Sequence, residues 1–136
     1  MSILFINGSP NKSGNTVALT EKNFKNYDTL HLVDYKIYSY GQKFTDDQFN
    51  EVVFRMSKAD TIIIGSPLYW HSMSGSVRNL LDRFYETVDE NLLQGKDMYF
   101  VFQGYAPTPQ QLAAGEYTMK RFAELYGMNF KSMITQ

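Results

Sequence analysis

The sequence contains no cysteine, and its 13 basic and 14 acidic side chains give a formal net charge of only -1. Without cysteine the chain cannot use disulfides, thiolate nucleophiles or cysteine-ligated clusters. The near balance of charge supplies no field that gathers nucleic acid, so we expect no nucleic-acid partner. No window approaches the roughly 18 apolar residues of a membrane span, and the N terminus lacks the basic segment and cleavage site of a signal peptide. We therefore expect a cytoplasmic protein without a membrane partner.

The chain alternates between strand-like and helix-like segments. Apolar runs predict five strands, at 3–6, 29–34, 61–67, 97–104 and 128–134, and helical periodicity predicts four helices, at 16–26, 45–56, 73–84 and 107–126. Strands 1 and 3 read as buried, because their apolar residues are continuous. This alternation favours right-handed crossovers and a parallel α/β sheet with helices on both faces. We predict a single domain over residues 1–136, with strand order 2-1-3-4-5.

The first predicted strand runs into a segment of small and polar residues, NGSPNKSGNT, at positions 7–16. After Asn7, its side chains offer three hydroxyls, two amides and one cation: Ser9, Ser13, Thr16, Asn11, Asn15 and Lys12. Small residues let backbone N–H groups converge, and a helix beginning near Asn15 or Thr16 directs its positive dipole end to the same place. The segment therefore suits a phosphate monoester. The alternative is that Ser13 or Asn15 merely caps the helix, while Gly8 and Gly14 turn the chain.

The residues of this segment do not match two other phosphate-binding motifs. A Walker A motif that starts at Gly8 requires its second glycine where Ser13 stands, and a lysine directly before Thr16, which is missing. The dinucleotide fingerprint G-x-G-x-x-G fails because Pro10 stands at its second glycine. Strand 3 also ends in Gly65 and Ser66 rather than in an acidic residue that would hold magnesium. We therefore predict neither a nucleotide triphosphate, nor a Rossmann-type dinucleotide, nor a metal site.

The loop after strand 3 places Tyr69, Trp70 and His71 directly after Pro67. In a doubly wound sheet, ligands bind at the carboxyl ends of the strands, so these rings are predicted at the rim of the site. A flat polycyclic ligand could lie against them. The alternatives are that Trp70 packs under a loop or in a subunit interface, and that His71 is an ordinary surface histidine.

The segments GSPNKSGNT and SPLYWHSMSGSVRNLLDRFYE together resemble the NAD(P)H-dependent FMN reductase and oxidoreductase family, which has a flavodoxin-like three-layer fold. The resemblance implies that the first loop holds the FMN phosphate, the loop after strand 3 supports the isoalloxazine ring, and the loop after strand 4 closes the site. The implied FMN-binding residues are Ser9, Asn11, Ser13, Asn15, Thr16, Pro67, Leu68, Tyr69, Trp70 and Gly104, with Tyr105 a further candidate. Family members often carry arginine where Asn11 stands, so phosphate binding here is expected to depend on amides, hydroxyls and Lys12.

The resemblance also implies an activity. NADPH or NADH would supply electrons through bound FMN to a small acceptor, such as a quinone, an azo or nitro compound, or a free flavin. No residue is assigned as catalytic; Tyr69 and His71 are candidate proton donors by their placement alone. The family further implies a homodimer or homotetramer. Two alternatives stay open: a flavodoxin-type electron carrier, for which a strongly acidic surface is expected, and a flavin-free structural or regulatory module of the same fold.

Overall fold

The computed structural model describes residues 2–85 and 87–136, which are built around a parallel sheet. Its strands are β1 (Ile3–Asn7), β2 (Asp28–His31), β3 (Thr61–Tyr69), β4 (Ser72–Met73), β5 (Asp97–Gln103) and β6 (Asn129–Ile134). They lie in the order β2-β1-β3-β5-β6, and every pair along this path is parallel. The two-residue β4 pairs with the end of β3 in antiparallel orientation. Apart from β4, this is the predicted order 2-1-3-4-5, which is confirmed.

In the part of the chain that the structure describes, four helices cover the two faces of the sheet: α1 (Asn15–Asn23), α2 (Phe49–Lys58), α3 (Gly75–Phe84) and α4 (Pro109–Leu125). Alternate residues of the central strands point to opposite faces, so that Phe5 and Ile63 pack with Leu19 of α1. On the other face, the larger core joins residues from the other three helices, among them Val52 and Phe84. Within the described residues, no helix is both long and apolar enough to cross a membrane.

Several element boundaries differ from the predictions; α1, for example, ends at Asn23 rather than at residue 26. β2 ends at His31 because its partner β1 ends opposite it at Asn7, and residues Leu32–Asp34 form a turn of 3-10 helix. β3 does not stop at Gly65 or Pro67 but continues to Tyr69. Beyond Gly65 the β1 side of this strand is unpaired, so proline, which has no N–H, is tolerated there.

Helix α2 begins at Phe49 rather than near Thr45. The N–H of Gln48 donates to the carbonyl of Lys36 at 2.7 Å, and Oδ1 of Asp47 accepts from the N–H of Phe49 at 2.8 Å. Gln48 and Asp47 therefore bond both the preceding connection and the first turn of the helix, and the helix itself begins only at Phe49. The apolar periodicity that predicted the helix is correct, but the predicted start at residue 45 lies four residues too early.

Candidate functional site

A cleft of about 430 Å³ opens at the carboxyl ends of β1, β3 and β5. Its lining residues are Ser9, Asn11, Asn15, Pro67, Leu68, Tyr69, Gln103, Gly104, Tyr105 and Gln136. All three loops that the sequence singled out therefore contribute to one cleft. Of the residues predicted to bind the cofactor, Ser13, Thr16 and Trp70 are not part of its lining.

The first loop is organised by Asn7, which is completely buried at the end of β1. Its Oδ1 accepts from the N–H of Ser9 at 3.0 Å, and its Nδ2 donates to the carbonyl of Asn11 at 3.1 Å. Nδ2 also lies 3.0 Å from Nδ1 of His31. The Oγ of Ser9 in turn accepts from the N–H of Asn11 at 3.1 Å. One amide side chain thus fixes the curvature of the loop, a role that we did not predict.

Replacing Asn7 with alanine is expected to lower the free energy of unfolding by about 1–2 kcal/mol, because it leaves the buried N–H of Ser9 and the carbonyl of Asn11 without their partner. Chemical denaturation monitored by circular dichroism measures this change. Asn23→Ala is the matched control, since Asn23 is exposed and its Nδ2 bonds only the Leu19 carbonyl of its own helix. We expect the control to stay within about 0.5 kcal/mol of the wild type. Equal stability of the two variants would contradict the role of Asn7.

Helix α1 begins at the floor of this loop without a side-chain cap. Gly14 is its N-cap residue, and neither Ser13 nor Asn15 accepts a capping hydrogen bond. The first hydrogen bond within the helix runs from the N–H of Ala18 to the carbonyl of Gly14. The preceding N–H groups therefore keep their capacity to donate, and the helix dipole favours an anion at this end. The alternative interpretation of Ser13 and Asn15 as helix caps does not hold.

Hydroxyls from the loop after β3 clamp the first loop from the other side. The carbonyl of Gly8 accepts from Oγ of Ser74 at 2.8 Å and from Oγ of Ser76 at 3.0 Å, while its N–H donates to the Gly65 carbonyl at 2.8 Å. Ser66 supplies Oγ as the acceptor for the N–H of Ser74 at 2.8 Å. Ser74 and Ser76 therefore join two of the three loops, a role that we did not predict.

Two residues of the predicted phosphate segment are engaged elsewhere. Thr16 is buried, and its Oγ1 accepts from Nε2 of Gln103 at 3.1 Å, so that it ties α1 to β5 behind the cleft. Lys12 forms an ion pair with Asp34 at 2.8 Å, in which both side chains are about half exposed (54% and 49%). Because this contact draws the ammonium toward Asp34, the cleft depends mainly on amides, hydroxyls and backbone N–H groups for binding an anion.

The aromatic end of the cleft is a two-residue hairpin turn between β3 and β4. Trp70 and His71 both have left-handed backbone conformations, with φ of 49° and 66°, which a turn of this type requires. Tyr69 lines the cleft, whereas Trp70 is 93% exposed and therefore does not pack under a loop of its own chain. The turn presents its rings outward, which leaves a subunit interface open as an interpretation of Trp70.

Gly104 allows the loop after β5 to approach this turn closely. A Cβ at this position would lie 2.9 Å from Cβ of Leu68, which is shorter than a normal contact. The adjoining Tyr105 is fully exposed at the rim. The cleft therefore has a polar end at the first loop and an aromatic end between Tyr69 and Tyr105.

Comparison with known proteins identifies relatives of this chain. The chain is 28% identical over 116 residues to YwqN of Bacillus subtilis strain 168, whose name describes an NAD(P)H-dependent FMN-containing oxidoreductase, and the match covers 77% of this chain and 64% of that protein. It is 37% identical over 98 residues to an iron-sulfur flavoprotein of Archaeoglobus fulgidus, covering 61% of this chain and 48% of that protein. The chain thus spans between about half and two thirds of the length of these relatives.

The fold is shared with a solved structure of Trp repressor binding protein from Bacillus subtilis. The TM-score is 0.80 at 22% identity, and the alignment covers 98% of this chain and 85% of that one. A family model described as NADPH-dependent FMN reductase matches residues 1–133, nearly the whole sequence. The chain belongs to the NADPH-dependent FMN reductase family.

Proposed function

We propose that the protein is an FMN-dependent oxidoreductase that passes electrons from NADPH or NADH to a small organic acceptor. With a quinone as acceptor, NAD(P)H, one proton and the quinone would give NAD(P)⁺ and the hydroquinone. One observation carries the proposal. The uncapped N terminus of α1 lies at one end of the cleft, and the exposed Tyr69 and Tyr105 lie at the other.

The residues of the cleft fit FMN. The N–H groups at the start of α1, with Ser9, Asn11 and Asn15, form a donor-rich end suited to a phosphate dianion. Volumes of roughly 300–1,000 Å³ are typical of cofactor sites, and the cleft of about 430 Å³ falls within them. A Cβ at position 104 would fill the space beside Leu68. Glycine therefore allows this wall of the cleft to lie close to Leu68.

The chain's own side chains would bind and orient the cofactor. Ser9, Asn11 and Asn15 are assigned to the phosphate, and Ser13 and Thr16 are retained as supports of the same loop. Pro67, Leu68, Tyr69 and Gly104 are assigned to the ring system, with Trp70 at its outer edge. Bound FMN would supply the two-electron chemistry, and Tyr69 and His71 are the side chains placed to donate a hydrogen bond or proton to an acceptor.

The purified protein, supplemented with FMN, is expected to show a flavin absorption spectrum that bleaches rapidly on anaerobic addition of NADPH or NADH. A flavin spectrum that does not bleach would favour the alternative of an electron carrier served by a protein partner. A chain that binds no FMN would favour a flavin-free module. Turnover with a quinone, an azo dye and a nitro compound then identifies the class of acceptor.

We further propose a cytoplasmic homodimer or homotetramer, in which the exposed Trp70 lies at or near the interface. Its 93% exposure in one chain is the observation in favour, because large aromatic side chains are enriched in interfaces. Light scattering coupled to gel filtration measures the assembly. Trp70→Ser is expected to shift it toward the monomer, and an unchanged assembly would exclude Trp70 from the interface.

A further inference from the structure

A second cavity, of about 250 Å³, adjoins the aromatic end of the cleft. Its lining residues are Leu68, His71, Gly104, Tyr105, Ala106, Pro107 and Gln111. Leu68, Gly104 and Tyr105 line the cleft as well, so the two spaces share a wall. A molecule in this cavity would therefore lie beside whatever fills the aromatic end of the cleft.

Gln111 is held in one orientation by the start of helix α4. Its Oε1 accepts from the N–H of Thr108 at 3.0 Å, while Oγ of Thr108 accepts from the N–H of Gln111 at 3.2 Å. This reciprocal pair is a capping box. Because the carbonyl oxygen of the amide is used by Thr108, the NH₂ group is the part that faces His71.

The contact with His71 then fixes the proton on the imidazole. Nε2 of Gln111 lies 2.6 Å from Nδ1 of His71. An amide NH₂ donates and does not accept, so Nδ1 must be the unprotonated, accepting nitrogen. In the neutral ring the hydrogen is consequently on Nε2. The left-handed backbone of His71 holds the ring's attachment point in the two-residue turn.

We propose that Gln111 is a positioning residue, which holds His71 in the tautomer with hydrogen on Nε2 and so gives the 250 Å³ cavity a hydrogen-bond donor for the carbonyl oxygen of a small quinone. The quinone assignment rests on the proposed function; the assignment of the tautomer does not. The cavity suits a single small ring, because it falls below the volume of roughly 300 Å³ at which sites for drug-sized ligands begin.

The tautomer is measured directly by long-range ¹H–¹⁵N correlation spectra of the full chain at about pH 8.5, above the usual range of imidazole protonation. The sequence has only two histidines, and His71→Asn identifies the signals. We expect hydrogen on Nε2 of His71. His31 is an internal control, because its Nδ1 faces Nδ2 of Asn7, whose Oδ1 is used by Ser9.

The decisive variant is Gln111→Glu. A glutamate at this position can still accept from the Thr108 N–H, so the capping box is kept, but its second oxygen is an acceptor and requires hydrogen on Nδ1 of His71. We expect the His71 spectrum to switch and the His31 spectrum to stay unchanged. Gln110→Glu adds the same charge to the same exposed turn and is expected to leave both histidines as they were. A wild-type ring with hydrogen on Nδ1, or no switch in Gln111→Glu, would overturn the positioning role.

The acceptor is tested with 1,4-benzoquinone and with the ferricenium ion, which takes an electron but has no oxygen to accept a hydrogen bond. In Gln111→Glu, kcat/KM for benzoquinone should fall roughly 2–10-fold, the range of one hydrogen bond, whereas ferricenium reduction should not fall, because the added carboxylate attracts this cation. A switched tautomer with undiminished benzoquinone reduction would overturn the donor assignment. If the wild type oxidises no NAD(P)H, the proposed function is wrong, and so is the assignment of a quinone to the cavity. The NMR spectra would still decide the tautomer of His71. If Gln111→Glu does not fold, the wild-type spectrum decides it alone.

Discussion

Replacing Arg83 with methionine is expected to lower the free energy of unfolding by about 2–4 kcal/mol, because it leaves a nearly buried carboxylate without its partner. Nη1 of Arg83 donates to Oδ2 of Asp47 and, at 3.0 Å, to the carbonyl of Tyr38. Its guanidinium also lies 4.7 Å from the centre of the Phe49 ring. One side chain of α3 therefore holds the connection that precedes α2.

Arg121→Met is the matched control for this experiment. Arg121 and Glu124 also form an ion pair, at 2.8 Å, but their side chains are 62% and 59% exposed, against 16% and 14% for Arg83 and Asp47. An exposed pair contributes little, so we expect a change within about 0.5 kcal/mol. Denaturation in urea compares the two variants. If both variants lose a similar free energy of unfolding, burial of the Arg83–Asp47 pair does not increase its contribution to stability, contrary to our expectation.

The same pair predicts a change in the acid dependence of stability. Burial raises the pKa of Asp47, but hydrogen bonds from Arg83 and from the N–H groups of Phe49 and Tyr38 outweigh it, so that its pKa lies below the ordinary value. A carboxyl with a lowered pKa in the folded state stabilises the fold above its unfolded pKa, near about 4, and loses this contribution as the pH falls further. In Arg83→Met, we expect unfolding free energy to decline less steeply below about pH 4 than in the wild type.

The fold could be predicted because its signals are local. Phe49, Val52, Val53 and Met56 recur at helical spacing, and all four are buried. The continuous apolar run at 62–64 indicates a central strand, and β3 indeed has neighbours on both sides. The errors fall at element ends, where a distant partner decides the outcome. Asp47 is an example, because its bonds to Arg83 and Tyr38 are not visible in the letters around it.

The candidate site could be predicted only as a set of loops. The order of the strands along the chain was sufficient to predict that residues 8–16, 67–71 and 104–105 lie at one edge of the sheet. The side chains that organise these loops act across the fold: Gln103 bonds Thr16 from 87 positions away, and Gln111 bonds His71 from 40. A glutamine in a strand or at a helix start has no distinctive local pattern, so neither could be identified without the structure. Asn7 could have been suspected as a polar residue that ends a buried strand.

Replacing Gly8 with alanine is expected to weaken FMN binding about tenfold or more, and to lower the free energy of unfolding by about 1–3 kcal/mol. A Cβ on Gly8 would lie 2.2 Å from Cγ2 of Val77 and 2.7 Å from the carbonyl oxygen of Gly65. A rotamer change of Val77 could relieve the first contact, but the second is to the backbone of a central strand. The loop must therefore move, and its N–H groups would move away from the position that suits a phosphate.

Flavin fluorescence titration measures the affinity of the Gly8→Ala variant, and urea denaturation measures its stability. Gly75→Ala is the matched control, because a Cβ at Gly75 meets no atom within 4 Å although this residue starts the neighbouring helix α3. Arg83→Met supplies the opposite control: it should lose stability while the folded protein keeps its affinity for FMN, since Arg83 does not line the cleft. If Gly8→Ala loses stability but binds FMN as tightly as the wild type, the assignment of the phosphate to this loop is wrong. Unchanged stability would instead show that the Gly65 contact is relieved without moving the loop.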